Sequence, residues 1–411
     1  MRLIHTSDWH LGHRFHGRKR HDEQARFLDW LAGLIEAQGI DALLVAGDIF
    51  DTTAPGSRAL TLYYRFLHRL AASPCRHVVL IGGNHDSPAL LEAPRELLRQ
   101  LRIHVVGAVD GDLDKEILLL HDREGRPELL VGAVPFLRDR DIRLAAAGES
   151  LEEKGLLLQQ GIRAHYQQVC QAAERLRRSL DPALPLVVMG HLFVTGGLTI
   201  EGDGVRELSV GGLSRIDGAA FPEDIDYLAL GHLHLGQQVE GEATRRYCGA
   251  PLPMGFNEAD QRKQVLAVQA EGRAITVEPI PVPCFQPLVS LVGDLPALLR
   301  GLAELKAAAS DAWLELHCQG QDLIPNLREQ LLAAVEESEL VILRIRNRRI
   351  YDFALQQARE AECLDDLSVA EVFERCLEAG QVAAAQRPLL RGALAEITGQ
   401  LAGQEPGGEE A

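Results

Sequence analysis

Three kinds of feature are missing from this sequence, and each absence excludes a class of protein. The seven cysteines form no Cys-x-x-Cys pair, so we expect reduced thiols in a cytoplasmic protein. No apolar run of about 18 residues occurs, and we therefore expect no transmembrane helix and no membrane partner. The opening residues, MRLIHTSDWH, have the pattern of a strand and not of a signal peptide.

The sequence also lacks a net positive charge. Lysine and arginine together number 42 and aspartate and glutamate 59, so the formal charge is −17. This balance argues against a protein that coats nucleic acid by charge alone, but it permits local basic patches and a metal-centred phosphate site. At about 150 residues per domain, the 411 residues predict two or three domains.

Short apolar runs alternate with segments of helical periodicity through the first half of the chain. Apolar runs occupy residues 2–8, 41–48, 76–86, 184–191 and 225–232, and helices are predicted over 22–37, 57–71, 88–101 and 152–180. This alternation indicates a sheet covered by helices. Because the later runs 265–268 and 274–278 have no helix between them, we predict a four-layer α/β/β/α sandwich.

A proline-rich segment, residues 279–287, is the best domain boundary in the sequence. Residues 1–280 form the predicted sandwich domain, and 285–350 are predicted to form a smaller α/β capping domain of alternating strands and helices. Residues 363–403 are predicted to form C-terminal helices, with amphipathic segments at 367–379 and 383–402. The polar, glycine-rich tail 404–411 is predicted to be disordered.

The five apolar runs of the sandwich domain all end in residues that bind metals. They end in Asp8 and His10, in Asp48, in Asn84 with His85 and Asp86, in His191, and in His232 with His234. Ligands in open α/β sheets lie beyond the carboxyl ends of the strands, so these side chains are expected to converge. The i, i+2 spacing in Asp-x-His and His-x-His places both side chains on one side of an extended segment.

Seven candidate metal ligands are too many for one tetrahedral zinc site. They are Asp8, His10, Asp48, Asn84, His191, His232 and His234. The number suits two divalent cations that share a bridging carboxylate, and the mixture of nitrogen and oxygen donors favours Mn²⁺, with Fe²⁺ or Zn²⁺ as alternatives. Such a pair activates water for in-line attack on a phosphoester.

His85 follows the ligand Asn84 directly and is expected to point differently. If Asn84 faces the metals, His85 faces the substrate as a catalytic group, with Asp86 orienting its ring. The alternative is that His85 is an ordinary surface histidine.

The order of these motifs resembles that of the calcineurin-like metallophosphoesterases: D-x-H, G-D, G-N-H-D/E, G-H and G-H-x-H. The longer stretches HTSDWHLG (5–12), VAGDIFD (45–51), PFLR (135–138), YLALGHLH (227–234) and YCGAPLPMGF (247–256) are similar to the narrower SbcD family of nuclease subunits. The resemblance covers about residues 1–400.

This resemblance implies specific roles for the ligands. It assigns Asp8, His10, Asp48 and His234 to one metal and Asp48, Asn84, His191 and His232 to the other, with Asp48 bridging. It assigns His85 to protonation of the leaving oxygen or stabilisation of the transition state.

The resemblance also implies an activity and partners. These are a Mn²⁺-dependent 3′–5′ exonuclease on duplex DNA ends and an endonuclease on single strands and hairpins. The family forms a homodimer through the nuclease domain and works with an SbcC-type, SMC-like ABC ATPase in DNA repair and recombination.

Two basic segments are candidates for DNA contact. A loop beside the first metal ligands carries Arg14, Arg18, Lys19 and Arg20, which suit a phosphate backbone unless the loop is simply solvated. Arg344, Arg346, Arg348 and Arg349 of the capping domain either cover DNA or pair with acidic neighbours.

Two helical regions are candidates for protein contact. The apolar residues of segments 57–71 and 88–101, Leu60, Leu62, Tyr63, Phe66, Leu67 and Leu70 among them, either form the dimer surface or pack on their own sheet. Val369, Val372, Phe373 and Leu377 lie on one helix face and suit docking on the ATPase, or packing within the chain.

Two other functions compete with the nuclease interpretation. The first is a calcineurin-like phosphoesterase for a small-molecule or protein phosphoester, which the capping domain and the extended motifs disfavour. The second is a non-catalytic scaffold, which would have no need of all seven ligands.

Overall fold

The structure is a computed structural model. It describes residues 1–143, 150–194, 216–218, 221–319, 324, 326–347, 370, 373, 374, 377 and 386–402. The chain divides into two compact units, residues 1–287 and 288–411. Each unit is described by itself below.

The first unit contains two six-stranded sheets. The strands are β1 (Arg2–Thr6), β4 (Ala42–Ala46), β5 (His77–Ile81), β6 (Ile103–Val106), β7 (Ile117–His121), β8 (Pro127–Ala133), β9 (Leu186–His191), β10 (Tyr227–Gly231), β11 (Gln237–Val239), β12 (Glu242–Tyr247), β13 (Gln264–Glu271) and β14 (Ala274–Pro281). A separate small hairpin pairs β2 (Arg14–Phe15) with β3 (Arg18–Lys19).

The helices of this unit follow the predicted periodicity. They are α1 (His21–Gln38), α2 (Ser57–Ala71), α3 (Pro88–Glu92), α4 (Arg95–Gln100), α5 (Asp139–Ile142) and α6 (Leu151–Leu180). The prediction of one helix over 88–101 is wrong, because Pro94 separates α3 from α4. Proline has no backbone N–H to donate, so the helical hydrogen-bond ladder is interrupted at Pro94.

The strand order brings the motif-bearing strands side by side. One sheet has the order β14-β13-β1-β4-β5-β6, in which β1, β4 and β5 run parallel. The other has the order β11-β12-β10-β9-β8-β7, in which β9 and β10 run parallel. Each of these two sets of parallel strands therefore delivers its carboxyl ends to one edge of its sheet.

Three buried apolar layers hold the two sheets and their helices together. Alternate strand residues such as Leu44 and Met189 fill the space between the sheets. The opposite face of the first sheet packs on α1 and α2, and the opposite face of the second packs on α6. A strand that is buried on both faces has a continuous run of apolar residues, and the sequence shows such runs at these strands. The predicted four-layer α/β/β/α sandwich is confirmed.

The apolar face of α2 packs on its own sheet, which was the alternative to a dimer contact. Leu62, Tyr63, Phe66, Leu67 and Leu70 are all buried in the core of the unit. The side chain of Leu60 is partly buried against the same core. The argument that these residues form an intermolecular surface is therefore wrong, because a helix face used by the core is not available to a second chain.

The second unit contains a three-stranded parallel sheet of β15 (Leu288–Gly293), β16 (Trp313–Cys318) and β17 (Val341–Asn347). The helices α7 (Leu295–Ala307) and α8 (Leu327–Ala334) pack on it through Leu302, Leu316 and Leu331. These elements follow the alternation predicted for the capping domain.

The arginines of β17 pair with an acidic neighbour. Arg346 Nε lies 2.9 Å and Arg344 Nη1 3.5 Å from the Glu315 carboxylate. Of the two expectations for these arginines, the structure therefore shows the ion pair. Arg348 and Arg349 lie outside the described residues.

The C-terminal region is described in part. Helix α9 (Arg387–Ala402) lies in the second predicted amphipathic segment, and its Arg391 forms an ion pair with Glu374, with Nη2 and Oε2 2.6 Å apart. Val369, Val372 and the tail 404–411 lie outside the described residues. No helix in the described ranges is long and apolar enough to cross a bilayer.

Candidate metal centre

The seven predicted ligands lie at or just beyond the carboxyl ends of five parallel strands. Asp8 and His10 follow β1, Asp48 follows β4, and Asn84 follows β5. From the second sheet, His191 is the last residue of β9, and His232 and His234 follow β10. Both sheets therefore contribute to one centre.

The backbone at these strand ends adopts strained, left-handed conformations. Asp8, His10, Asp48 and His232 have φ values of 54°, 44°, 49° and 99°. Such values cost energy for residues other than glycine and persist where the surroundings impose them. Here the Asp8 amide donates to the Gly47 carbonyl and the His10 amide to the Asp48 carbonyl, both at 3.0 Å.

Two glycines next to the ligands are required by close contact. A Cβ atom on Gly83 would lie 2.1 Å from Oδ1 of Asp48, and one on Gly231 would lie 1.9 Å from the Ala46 carbonyl oxygen. The absence of a side chain at these positions allows the strand ends to approach closely enough for their ligands to converge.

Asp48 stands between two groups of ligands. Its Oδ2 lies 3.7 Å from Nε2 of His10 and 3.3 Å from Nε2 of His191. Ligand atoms that share an ion at about 2.1 Å lie roughly 3–3.5 Å apart, so the distance to His191 falls in this range and the distance to His10 is slightly longer. The Asp48 carboxylate therefore lies within reach of one histidine nitrogen from each sheet.

The other ligands lie around these two positions. Single donor atoms of Asp8, His10 and His234 lie within 4.8 Å of one another, as do donor atoms of Asp8, Asp48 and His191. Oδ1 of Asn84 lies 3.0 Å from Nε2 of His191 and 3.1 Å from Nδ1 of His232. The structure therefore brings all seven predicted ligands together.

Hydrogen bonds to the backbone orient the ligands. Nδ1 of His191 donates to the carbonyl of Ala46 at 2.9 Å, which leaves Nε2 as the free lone pair that a metal takes. The Asp8 carboxylate accepts the amide of His232 at 3.0 Å and the hydroxyl of Ser7 at 2.5 Å. Partners of this kind fix the rings and carboxylates before a cation binds.

Burial and mutual attraction shift the pKa values of three side chains in the centre. Burial raises the pKa of Asp8 to about 6. Burial also opposes ionisation of Asp48, but the nearby His191 outweighs it and holds the pKa of Asp48 far below its usual range. Burial acts to lower the pKa of His191, yet the Asp48 carboxylate prevails and raises it to about 9. A cation that binds here takes the place of the His191 proton.

The donor set fits divalent cations. Nε2 of His10 is buried without a hydrogen-bond partner among the described residues, although it lies beside the carboxylate of Asp48. A metal ion satisfies such an orphaned nitrogen. Imidazole, carboxylate and carboxamide donors together suit first-row divalent metals such as Mn²⁺.

His85 lies at the edge of the centre and is partly exposed. Its amide donates to Oδ1 of Asp48 at 2.9 Å, and its Nδ1 donates to the carbonyl of Asp51 at 2.8 Å. Its ring is 4.9 Å from that of His10, between centroids. His85 thus has a fixed ring orientation next to the ligands.

The prediction that Asp86 orients the His85 ring is wrong, because the Asp51 carbonyl does so. The Asp86 carboxylate, wholly buried, accepts the backbone amides of Ile49, Phe50 and Gly83 at 3.1, 2.9 and 2.9 Å. It ties the loop after β4 to the loop after β5. Asp86 is therefore a positioning residue of two ligand loops and does not contact the reacting groups.

The basic loop is only partly available to a ligand. Arg14, Arg18 and Lys19 are exposed on the β2–β3 hairpin. Arg20, in contrast, is buried, with two hydrogen bonds to Glu23 at 2.7 and 2.9 Å and one to the Pro253 carbonyl at 2.6 Å. The expectation that Arg20 contacts DNA is wrong, because its guanidinium is used inside the protein.

Sequence reasoning did not assign Asp51 and Ser7. Asp51 holds His85 through its carbonyl, and its Oδ1 lies 3.5 Å from Nδ1 of His10. The signal for Asp51 was present, because it ends the VAGDIFD stretch. Ser7 gives no signal, since a serine next to an aspartate is common.

Comparison with known proteins now identifies the chain. A family model described as calcineurin-like phosphoesterase matches residues 1–236, and one described as type 5 capsule protein repressor C-terminal domain matches 284–381. The SbcD subunit of the nuclease SbcCD from Escherichia coli strain K12 is 35% identical over 98% of this chain and 99% of its own length. The chain belongs to the SbcD family of calcineurin-like phosphoesterases. The resemblance inferred from the motifs is confirmed.

Further relatives of the same name support membership of the SbcD family. The one from Rhodobacter capsulatus is 33% identical over 82% of this chain and 84% of its own length. The one from Bacillus subtilis is 32% identical over 78% of this chain and 80% of its own length. A dimetal phosphatase structure from Danio rerio covers 69% of this chain and 99% of its own at 13% identity, with a TM-score of 0.38, which is too distant to bear on the site.

Replacement of Asp48 by asparagine tests the shared carboxylate of this SbcD-family chain. Asp48→Asn removes the charge that both ion positions use, so we expect a folded protein that binds little Mn²⁺ in calorimetric titration. Asp29→Asn, an exposed carboxylate on α1, is the matched control and should bind metal as the wild type does. Two ions bound at wild-type affinity by Asp48→Asn would refute the bridging role.

Replacement of Asp86 by alanine tests its role in holding the loops. Three buried amides lose their acceptor in Asp86→Ala, so the free energy of unfolding in urea should fall by about 3 kcal/mol or more. Asp22→Ala, at an exposed aspartate, should leave stability unchanged. A variant with normal stability and a specific loss of turnover would instead assign Asp86 to the chemistry.

Proposed function

We propose that this chain is the nuclease subunit of an SbcCD-type complex and hydrolyses DNA phosphodiester bonds with two divalent cations. One observation carries the proposal: a single carboxylate, that of Asp48, lies between Nε2 of His10 and Nε2 of His191 in a set of seven candidate ligands, six of which are buried. Relatives named nuclease over nearly the full length of the chain support DNA as the substrate and count against a small-molecule or protein phosphoester.

We propose the ligand assignment that the motifs imply. Asp8, His10, Asp48 and His234 would hold one ion, and Asp48, Asn84, His191 and His232 the other. Two such cations supply Lewis acidity that activates water and offsets the charge of the attacked phosphate. Mn²⁺ is the proposed metal, because the donors are mixed oxygen and nitrogen.

His85 is the proposed acid. Because Nδ1 donates to the Asp51 carbonyl, Nε2 is the nitrogen that gains and loses the transferable proton, and the ring acts as an acid in its imidazolium form. From the edge of the ligand cluster this proton can pass to the leaving oxygen as the phosphodiester bond breaks. The partial exposure of His85 supports its access to substrate.

The substrate is proposed to be duplex DNA ends, cut 3′ to 5′, together with single strands and hairpins cut internally. Arg14, Arg18 and Lys19 of the exposed β2–β3 hairpin are the proposed backbone contacts, since cationic side chains on phosphates position DNA without reading its sequence. Because this substrate is chromosomal DNA, we place the protein in the cytoplasm. Digestion of an end-labelled hairpin with Mn²⁺, set against hydrolysis of a cyclic dinucleotide, tests the substrate class.

We retain the predicted domain division: residues 1–280 as the nuclease domain, 285–350 as the capping domain, 363–403 as partner-binding helices and 404–411 as a disordered tail. The proposed partner is an SbcC-type, SMC-like ABC ATPase that docks on the C-terminal helices. Co-purification with such an ATPase before and after truncation at residue 360 is the measurement that decides this assignment.

The His85→Ala variant separates acid catalysis from metal binding. We expect both ions to stay bound while nuclease turnover falls by about 10²–10⁴-fold, the range that general acid catalysis contributes. His68→Ala, at an exposed histidine of α2, is the control and should retain full turnover. Loss of an ion from His85→Ala, seen by elemental analysis, would place His85 among the ligands.

A homodimer through the nuclease domain is proposed on the second of the two segments predicted for the dimer contact, residues 88–101. Leu97 and Leu101, in and just after α4, are exposed by 68% and 45%. The double variant Leu97→Glu/Leu101→Glu should weaken dimerisation at least about tenfold in sedimentation, because a charge is placed in an apolar contact. Leu332→Glu, at an exposed leucine of α8, is the control. A dimer of unchanged affinity would put the contact elsewhere.

A further inference from the structure

The buried Lys263 contacts the backbone of the candidate metal ligand His234. The ammonium of Lys263 donates to the backbone carbonyl of His234 at 3.3 Å, to Oε1 of Gln261 at 3.0 Å and to the carboxylate of Glu258. Both Lys263 and Glu258 are almost inaccessible, at 8% and 1% exposure. Because the cost of desolvation offsets the attraction between the two charges, a buried ion pair contributes little net stability. We therefore look for the role of Glu258 and Lys263 in the groups that they contact.

The Glu258–Lys263 ion pair lies against the metal ligand His234. The carbonyl of His234 receives the Lys263 ammonium and also the Ala250 amide, the latter at 3.1 Å. Oε1 of Glu258 lies 4.0 Å from Nδ1 of the same histidine. One member of the pair thus contacts the backbone of this ligand, and the other lies close to its ring.

We infer that the Glu258–Lys263 ion pair positions His234 and thereby sets the affinity of the cation position to which His234 belongs. The inference rests on the proposed metal centre. Groups that orient a metal ligand from behind typically change metal affinity by about 10–100-fold when they are lost. Glu258 and Lys263 are positioning residues, since they act through His234.

The same segment contacts the basic hairpin. Glu258 ends a short helical turn, Phe256–Glu258, and the Phe256 ring lies 5.0 Å from that of Phe15 and stacks on that of His16 at 5.5 Å. The Oε2 atom of Glu258 also accepts the amide of Met254 at 3.1 Å. The ion pair therefore joins the hairpin proposed to contact DNA to a metal ligand through one continuous loop.

The test is a double variant of the full chain, Glu258→Gln/Lys263→Met. It removes both charges together, so neither is left buried and unpaired, which keeps the fold accessible to the variant. We expect the Mn²⁺ concentration for half-maximal nuclease activity to rise by about 10–100-fold, with turnover restored at saturating Mn²⁺. Calorimetric titration with Mn²⁺ should show the same loss at one of two sites.

A matched pair serves as the control. Arg76 and Glu128 form an ion pair at 2.8 Å beside the start of β5, the end away from the ligand loops, and Arg76→Met/Glu128→Gln removes both charges together with the contact of Arg76 to Asp41. This control should leave both Mn²⁺ affinities unchanged even if its thermal stability falls. A role of Glu258 and Lys263 in stability alone would give the double variant the same profile as the control.

A cycle with His234→Ala completes the experiment. Once His234 is gone, adding Glu258→Gln/Lys263→Met should not weaken the remaining Mn²⁺ site, because the pair acts through His234. Unchanged Mn²⁺ affinity in the double variant, or a further loss in the His234→Ala background, would overturn the inference. A wild-type chain that binds no Mn²⁺ and cuts no DNA would refute the proposed function instead.

Discussion

The carboxylate of Asp48 is the contact on which the geometry of the metal centre depends. It faces Nε2 of His10 from its own sheet and Nε2 of His191 from the other sheet, and it accepts the amide of His85. A single side chain thus contacts both ligand groups and the backbone of the proposed acid. The strained φ of Asp48 is consistent with this demand, since an unstrained strand end would aim the carboxylate elsewhere.

The glycines around Asp48 meet a related constraint. We expected them to allow sharp turns after the strands, and Gly47 does adopt a positive φ of 87°. Gly83 and Gly231, however, are required by close approach, because any side chain there would overlap Asp48 or the Ala46 carbonyl. Close packing of backbone is therefore as important to the site as backbone freedom.

The convergence of the seven candidate ligands could be predicted from the sequence because the pattern that marks a strand end is local. An apolar run followed by Gly-Asp or Gly-His marks a strand and its carboxyl end, and parallel strands bring those ends together. Arg20 and Asp86 were misassigned for the opposite reason. Their roles are set by Pro253, 233 residues away from Arg20, and by the amides of Ile49 and Phe50, 37 and 36 residues away from Asp86. Helix α2 shows the same limit, since amphipathic periodicity does not say which surface covers the apolar face.

The division of the ligands between the two sheets has a consequence for stability. Asp8, His10, Asp48 and Asn84 belong to one sheet, and His191, His232 and His234 to the other. On the proposed ligand assignment, a cation held by both sets would cross-link the sheets, and separation of the sheets on unfolding would destroy its site. Ligands that bind the folded state alone stabilise it by mass action, by about 2.7 kcal/mol at one hundred times the dissociation constant. On the proposed ligand assignment, the resistance of this domain to unfolding would therefore rise with the free metal concentration around it.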